Sequence, residues 1–426
     1  MRLLFEIILL SGGALLLLPA AVLLIEVLAA LWPDARSDGA NPEPFPRTVI
    51  LVPAHDEEGQ IEETVRGLLA DRPAGARVLV IADNCSDQTA ARAVAAGAEA
   101  IERHNTSQIG KGHAISFGLR HLDAAPPEIV ILVDADCRVS SGGLSTLVRA
   151  AARSGRPIQA EYLIGAPRDS SPLVVIGALA ILLRNRVRPR GMRRLGLPCH
   201  LTGSGMAFPW SVLRDAPDTG SILVEDLVMG IELALAGYPA ESCPAVQISS
   251  ELPEGRAAGL RQRRRWEHGQ LHTLATYGPR LVATGLRKGR PALLGLGLDL
   301  LVPPLALLVM LQGGLLAATV LAALVGLTSS APAILAGVGL AMVGVAVVAA
   351  WAAFGRRTLP FRHLLFAPVY LAWKIPLYVA LLIKGRQKSW ERTARGAAAR
   401  DGAAPADVAK PAAAPPDAAK SDPGGA

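Results

Sequence analysis

Asp134 and Asp136 stand at i and i+2 directly after an apolar run, Ile129–Val133. At a strand exit, that spacing lets two carboxylates share a hard cation, and Mg²⁺ or Mn²⁺ keeps waters that phosphate oxygens can replace. The competing explanation is a strand-terminating turn. Asp83 follows another apolar run and opens Asp83-Asn84-Cys85-Ser86-Asp87. An acid at that point can accept hydrogen bonds from a ribose hydroxyl or a base N–H, while Ser86 or Asp87 suits a helix N-cap. Glu225-Asp226 opens the helical stretch Leu227–Ala236 after Gly220-Ser221. A carboxylate there can take a proton from an attacking hydroxyl, or simply complement a helix N-terminus.

Four further stretches are chemically suggestive. Pro53-Ala54-His55-Asp56-Glu57-Glu58 sits at the first strand exit, where an acidic first helical turn is the plainer reading. Gly110-Lys111-Gly112 places one cation before a helix, suited to a diphosphate, although the P-loop spacing is absent and a solvated lysine is the commoner outcome. Thr202-Gly203-Ser204-Gly205-Met206 permits close backbone approach to a ligand, and would serve a β-bulge equally. Gln262-Arg263-Arg264-Arg265-Trp266 reads either as a cationic collar with an interfacial Trp or as a phosphate partner, Arg265, beside an apolar wall, Trp266. Six arginines within Arg184–Arg194 read as a membrane-surface run.

The elements that position these residues alternate in type. Thr48–Pro53, Arg77–Ala82 and Glu128–Val133 are β-rich runs of buried-strand character, and Glu58–Ala70 and Ser86–Gly97 between them have helical periodicity. Such alternation predicts a mostly parallel sheet with helices on both faces, whose ligands bind beyond the carboxyl ends of the strands. Asp83 and Asp134 fall at two of those ends.

The remainder of the chain is lipid-like. Of 426 residues, 51% are hydrophobic and 19% charged, below the quarter typical of soluble domains, and the mean hydropathy is +0.35. Ile7–Ile25 is a run of 19 uncharged residues, longer than a signal-peptide core and long enough for a retained anchor. Asp299 is the only charge from Pro291 to Gly355, a stretch that must hold at least two membrane helices and has room for three, with breaks at Pro303-Pro304 and Gln312-Gly313-Gly314 and a turn at Ser329–Pro332. Leu364–Ile383 is a further apolar segment interrupted by Lys374 and Pro376. Basic residues flank it on both sides, so one crossing conflicts with the positive-inside rule and the segment is either re-entrant or miscounted. The chain therefore divides into an anchor over 1–32, a Pro-rich linker over 33–46, an α/β domain over 47–290, terminal membrane or interfacial helices over 291–390, and a low-complexity tail over 396–426. A net charge of +7 with only 4% aromatic residues suits an anionic membrane surface better than nucleic acid. The four scattered cysteines exclude a zinc ribbon or a disulfide framework. Transport has a thin basis in the intramembrane charges Glu26, Asp299 and Lys374.

The motifs VPAHDEE, ADNCSD, GKG, DAD, GSG, VED and QRRRW occur in that order across Val52–Trp266. The ordered set resembles the membrane-embedded family 2 glycosyltransferases of the cellulose synthase and hyaluronan synthase type. The stretches ADNCSDQT, ERHNTSQIGKGHAISFGLRHL and LGLPCHLTGSGMAFPW resemble bacterial exopolysaccharide-synthesis transferases more closely still. The resemblance covers residues 47–270 and implies a Rossmann-like GT-A domain beside transmembrane helices. It also implies a UDP-sugar donor, a Mg²⁺ or Mn²⁺ ion, and inversion at the anomeric carbon during transfer of a hexose to a growing polysaccharide or lipid-linked glycan. By the same resemblance, Ala54, Glu57, Asp83, Lys111 and Asp134 hold the nucleotide-sugar, and Asp136 with Asp134 holds the metal. Asp226, next to Glu225, is the general base, Gln262, Arg265 and Trp266 hold the donor diphosphate and acceptor terminus, and Thr202, Gly203 and Ser204 lie at the acceptor. The implied setting is a bacterial inner membrane with the catalytic domain in the cytoplasm, export partners for the product and no nucleic acid. Two departures stand out: Val224 precedes Glu225-Asp226 where cellulose synthases carry Thr, and the apolar helices are few. A single-addition transferase to a polyprenyl or ceramide-like lipid and a non-catalytic glycan- or lipid-binding membrane protein are the alternatives.

Overall fold

The computed structural model describes residues 2–33, 44–165, 170–216, 224–251, 256–357 and 359–384, with the side chains of 256–265 and 381–384 left aside. Most of the expected linker, residues 34–43, the Gly220-Ser221 pair and the tail over 396–426 lie outside the described residues. The chain opens with α1 (Arg2–Ala30) and then enters the α/β domain. Its first half runs β1 (Thr48–Ala54), α2 (Ile61–Asp71), β2 (Arg77–Asp83), α3 (Thr89–Ala95), β3 (Glu99–Arg103), α4 (Lys111–Leu122) and β4 (Ile129–Leu132). Its second half runs β5 (Arg138–Val139), α5 (Gly143–Ser154), β6 (Ile158–Gly165), α6 (Pro172–Leu182), a π-helical turn at Leu183–Val187, α7 (Arg188–Arg194), β7 (Met206–Pro209), α8 (Trp210–Leu213), α9 (Glu225–Ala236) and β8 (Glu241–Glu251).

The eight strands form one sheet in the order β3-β2-β1-β4-β7-β6-β8-β5. β3, β2, β1 and β4 are parallel, with Val49 opposite Arg77 and Thr48 opposite Ile129. β7 then pairs antiparallel with both β4 and β6. The architecture is a mostly parallel, Rossmann-like GT-A sheet with helices on both faces. Strand alternation builds both cores. Ile50, Val52, Val80 and Ile131 face α2, α3 and α5, while Val49, Leu51, Ile81 and Leu132 face α4 and α9 through Ile115, Met229 and Leu233.

After the sheet come α10 (Arg256–Arg287), α11 (Pro291–Leu300), α12 (Leu305–Leu324), α13 (Ala331–Ala350, extended by a π-helical turn to Gly355), α14 (Phe361–Leu364) and α15 (Ala367–Lys384). Among the described residues, α1, α12 and Ala331–Gly355 are long and apolar enough to cross a membrane, and α11 is short. The Pro303-Pro304 break is real, since α12 starts only at Leu305. Gln312-Gly313-Gly314 does not interrupt α12. Gln312 is buried and donates to the Leu16 carbonyl of α1 at 2.9 Å, so the polar residue is an interhelical fastener. In α15, Lys374 is buried and bonded to Glu267 of α10.

Candidate active site

Because β1, β2 and β4 are parallel, their carboxyl ends share one edge, and Ala54, Asp83 and Asp134 lie along it with β1 between the other two. At the β2 end, Asp83 is 5% exposed, and Arg103 donates to its Oδ1 at 2.5 Å. Asn84 donates to the same oxygen at 3.2 Å, so both neighbours address Oδ1. Nothing local in the sequence marks Arg103 as a partner of Asp83. Only the β2–β3 register, which sets Asp83 opposite Arg103, reveals it.

The loops above this edge are bonded to one another. His55 Nδ1 donates to the Asp83 carbonyl at 2.6 Å, and the Ser86 amide donates to Asp56 Oδ1 at 2.6 Å. Asp56 and Asn84 both have φ +52, left-handed conformations that side chains rarely adopt. The acids of the first exit are not a first helical turn: α2 starts at Ile61, and its own acids are Glu62 and Glu63. The Glu57 amide donates instead to Thr89 Oγ1 at 2.8 Å. Neither cap candidate is the N-cap of α3, which is Gln88; Asp87, just before it, accepts the Thr89 amide at 3.0 Å, whereas Ser86 is committed to Asp56.

At the β4 end, the Lys111 ammonium is bonded to the Asp134 carboxylate and donates to the Gly203 carbonyl at 2.6 Å. It is not a solvated surface lysine. Burial opposes its charge, but Asp134, Glu225 and Asp226 outweigh that effect and hold its pKa above the ordinary lysine value. Burial pushes the Asp134 carboxyl up, Lys111 pulls it down, and Asp136 and Asp226 push it up further, leaving a net rise. These couplings bring the β4 loop, the first residue of α4 and the first turn of α9 to one place.

The Thr202–Gly205 loop closes that place from beneath. Gln159 (buried) accepts the Thr202 amide at 2.8 Å and donates to the Ser204 carbonyl at 2.9 Å. Ser204 Oγ accepts the Asp134 amide at 3.0 Å. Gly205 has φ +69, and a Cβ there would come within 2.3 Å of Ile248 Cγ1. Gly203 has φ +99, and a Cβ there would lie 3.2 Å from Asp226 Oδ2 and 3.9 Å from Lys111 Nζ. The Asp226 carboxylate therefore rests against bare backbone. Gln159, like Arg103, carries no sequence signal of its own. A small cleft between α4 and α9 is lined by Lys111, Gly112, Ser116, Glu225, Asp226 and Met229.

The donor set at the D-x-D can be tested for a cation. The acids alternate with buried Ala135 and Cys137, so both carboxylates share a face, and their oxygens lie within 4.8 Å of each other and of Cys137 Sγ. Burial, with Asp134 and Asp136 adding to it, holds the Cys137 thiol well above its usual pKa. The protonated sulfur donates to Asp136 Oδ1 at 3.6 Å. That leaves carboxylate oxygens, which fit a hard divalent ion. A second group, His55, Asp56 and Cys85, is also close enough for a metal, but His55 and Asp56 are engaged in the loop bonds above.

The third group of expected residues lies on α10. Gln262 and Arg265 are on α10, but their side chains lie outside the described residues. Trp266 packs on the sheet core and lines a cavity between the domain and the apolar helices. The Arg184–Arg194 run is not a lipid-facing collar throughout. Arg186 donates to Glu161 at 2.7 Å, and Arg188 donates to Glu26 of α1 at 2.8 Å and to Asp299 of α11 at 2.6 Å. Val224 (buried) packs toward Gly269 of α10.

The model of the family described as "Glycosyltransferase like family 2" matches residues 46–269. Among solved structures, a mannosyltransferase from Pyrobaculum calidifontis in complex with GDP-Man and Mn²⁺ is similar with a TM-score of 0.52 and 18% identity, over 88% of this chain and 100% of that one. Glucosyl-3-phosphoglycerate synthase from Mycobacterium tuberculosis, in complex with Mn²⁺, UDP and phosphoglyceric acid, is similar with a TM-score of 0.32 and 20% identity, over 48% of this chain and 69% of that one. No curated protein matches the chain.

Proposed function

The chain belongs to the glycosyltransferase-like family 2, and from that premise we propose an integral membrane, inverting enzyme that moves a hexose from a UDP-sugar to a growing polysaccharide or lipid-linked glycan. Exopolysaccharide or cell-surface glycan synthesis at a bacterial inner membrane is the setting we favour, with a cytoplasmic catalytic domain. The observation that carries the reading is the convergence of Lys111, Asp134 and Asp226 around the Gly203 backbone at the sheet's carboxyl edge.

In this mechanism the nucleoside occupies the β1–β2 end, where Ala54 and Glu57 border it and Asp83, held by Arg103, accepts its hydrogen bonds. Lys111 and Arg265 balance the charge of the diphosphate, and Gln262 and Trp266 border the acceptor. The acceptor hydroxyl attacks the anomeric carbon in line with the departing nucleotide, and Asp226 takes the hydroxyl proton. Glu225 and Asp134 add negative potential that favours the proton's arrival on Asp226. Thr202, Gly203 and Ser204 leave room for the acceptor against backbone. Asp136, with Asp134, would hold a Mg²⁺ or Mn²⁺ ion, which when bound supplies positive charge to the leaving diphosphate.

Three crossings, α1, α12 and α13, put both ends of the α12–α13 hairpin on the domain's side. Placing α15 as an interfacial helix on that side satisfies the positive flanks of Leu364–Ile383 without a fourth crossing. The deciding experiment measures nucleotide release by the purified membrane protein from UDP-glucose, UDP-galactose, UDP-N-acetylglucosamine, UDP-glucuronate and GDP-mannose, with and without Mg²⁺ or Mn²⁺. Release from one donor only when the ion is present supports the reading; no release from any donor sinks it.

A further inference from the structure

Within the π-helical turn and α7, arginines recur at 184, 186, 188 and 190, and three of the four are committed to carboxylates. Arg186 and Arg190 are bonded to Glu161, and Arg188 to Glu26 and Asp299. Arg184 has no hydrogen-bond or ion-pair partner among the described residues. It is partly buried, and an unpaired guanidinium in such a place is costly unless a ligand supplies the anion.

Two cavities meet at this side chain. One lies against the membrane helices and is walled by Leu23, Gly177, Ile181, Pro303, Leu305 and Tyr370, with Trp266 at its border. The other is lined by Thr202, Leu227 and Asp299. Arg184, Arg188 and Gln270 line both, so the cavities adjoin across these side chains. Thr202 adjoins Gly203, against which Asp226 rests. Burial pushes the Arg184 pKa down, and Asp226 is the strongest charge holding it up, so the two groups lie within each other's field. Side by side, the two cavities outline a route from an apolar wall, past a cation without a partner among the described residues, to Thr202, which is next in the chain to the Gly203 that the proposed base rests against.

We infer that this route binds the acceptor, and that the acceptor is a membrane lipid whose phosphodiester sits on Arg184, with its chain along the apolar wall and a headgroup hydroxyl reaching Asp226. The assignment rests on the transferase reading above and deepens it. A phosphodiester supplies the anion that no described residue gives Arg184. A hydroxyl is required because a base beside the reacting atom has no role toward an already ionised phosphate monoester. In the step, the headgroup oxygen bonds to the anomeric carbon as the bond to the nucleoside diphosphate breaks. The hydroxyl proton passes to Asp226, and the electron pair leaves on the diphosphate.

The test uses the full-length protein in phosphatidylcholine vesicles with the donor that supports nucleotide release. Vesicles contain either phosphatidylglycerol, or diacylglycerol plus phosphatidylserine at matched surface charge, and a third arm supplies soluble glycerol 3-phosphate. The expected result is a glycosylated phosphatidylglycerol by mass spectrometry, formed at least tenfold faster than either other product. Arg184→Gln raises the KM for phosphatidylglycerol at least tenfold without raising that for the donor, and Arg184→Lys recovers part of it. Ala180→Phe, which fills the apolar cavity, slows lipid transfer with the melting temperature retained. Equal transfer to diacylglycerol or glycerol 3-phosphate, or an unchanged lipid KM in a folded Arg184→Gln protein, overturns the assignment while the transferase reading stands. Nucleotide release that proceeds only with a soluble glycan also overturns it. No release from any donor overturns both.

Discussion

Arg188 of α7 donates through Nε to the buried carboxylate of Glu26 on α1 at 2.8 Å, fastening the catalytic domain to the first apolar helix. Its Nη2 also donates to Asp299 Oδ1 at 2.6 Å, and His200 Nε2 lies 3.2 Å from the other Asp299 oxygen. The helices touch closely here, since a Cβ on Gly191 would fall 1.9 Å from the Glu26 carbonyl oxygen. Removing one member of a buried pair leaves an uncompensated charge, which costs about 3–5 kcal/mol, whereas replacing both by apolar groups is often neutral. Arg188→Met is therefore expected to destabilise the protein by that amount, and Arg188→Met with both Glu26→Leu and Asp299→Asn to recover much of it. Thermal unfolding in detergent reads both. Equal stability of the wild type and the single variant would refute a structural role for the pair.

Asp226 is expected to matter for chemistry and little for donor affinity. Asp226→Asn keeps the side-chain volume beside Gly203 but removes the proton acceptor. General-base removal typically costs about 10²–10⁴-fold in rate. Transfer kinetics should show that loss in kcat, while calorimetric affinity for the nucleotide-sugar changes less than about threefold. Near-normal turnover would mean that the base lies elsewhere.

The two loop glycines should fail in different ways. Gly205→Ala forces a Cβ to within 2.3 Å of Ile248 and 3.0 Å of Ala160 Cβ, an overpacking cost of about 1–3 kcal/mol plus left-handed strain. The expected readout is a lower melting temperature. Gly203→Ala meets only side-chain atoms, Asp226 Oδ2 at 3.2 Å and Lys111 Nζ at 3.9 Å. It should lower turnover more than tenfold with a smaller loss of stability. Matching effects of the two variants on melting and turnover would contradict this division.

The first sheet half was legible because β1, β2 and β4 are short apolar runs bounded by polar exits, and the candidate residues Asp83 and Asp134 sit on two of those exits. The second half was not. β6 and β8 carry Gln159, Glu161, Gln247 and Ser250 within the strands, and these polar residues hide the pattern of a buried strand. They are tolerated because Gln159 is consumed by the Thr202–Ser204 loop and Glu161 by Arg186 and Arg190. Arg103 was equally hidden, since nothing local distinguishes a strand-end arginine from a solvated one before its register with Asp83 is known. Gln312-Gly313-Gly314 misled in the opposite direction. A polar-glycine triplet looks like a helix break, but Gln312 finds a carbonyl on the neighbouring apolar helix instead.

Divalent ions should be required at the Asp134-Ala135-Asp136 turn. Chelation with EDTA is expected to abolish nucleotide release, and added Mg²⁺ or Mn²⁺ to restore it. Asp136→Asn should shift the metal concentration for half-maximal activity upward by at least tenfold. An EDTA-treated protein that retains full activity would remove the ion from the mechanism.

The loop that carries Asp87 should be the acid-sensitive part of the proposed nucleotide end. Asp87 accepts three hydrogen bonds, from the Thr89 amide at 3.0 Å, the Thr89 hydroxyl at 2.5 Å and the Glu58 amide at 3.0 Å. Burial works against its charge, but the Thr89 hydroxyl and the two amides prevail, and the carboxyl titrates below its ordinary value. A depressed carboxylate contributes its full stabilisation above the unfolded pKa of about 3.9, and that contribution is lost as the pH falls through the lower folded value. Asp87→Asn, which removes the charge while keeping one acceptor, should cost about 1 kcal/mol near neutral pH, the difference between hydrogen bonds to a charged and to a neutral acceptor. Melting temperatures of the wild type and the variant should then converge on acidification below about pH 4. A gap between them that stays constant from pH 7 to pH 3 would show that the carboxylate's charge contributes nothing, and that Asp87 holds the loop only through its shape.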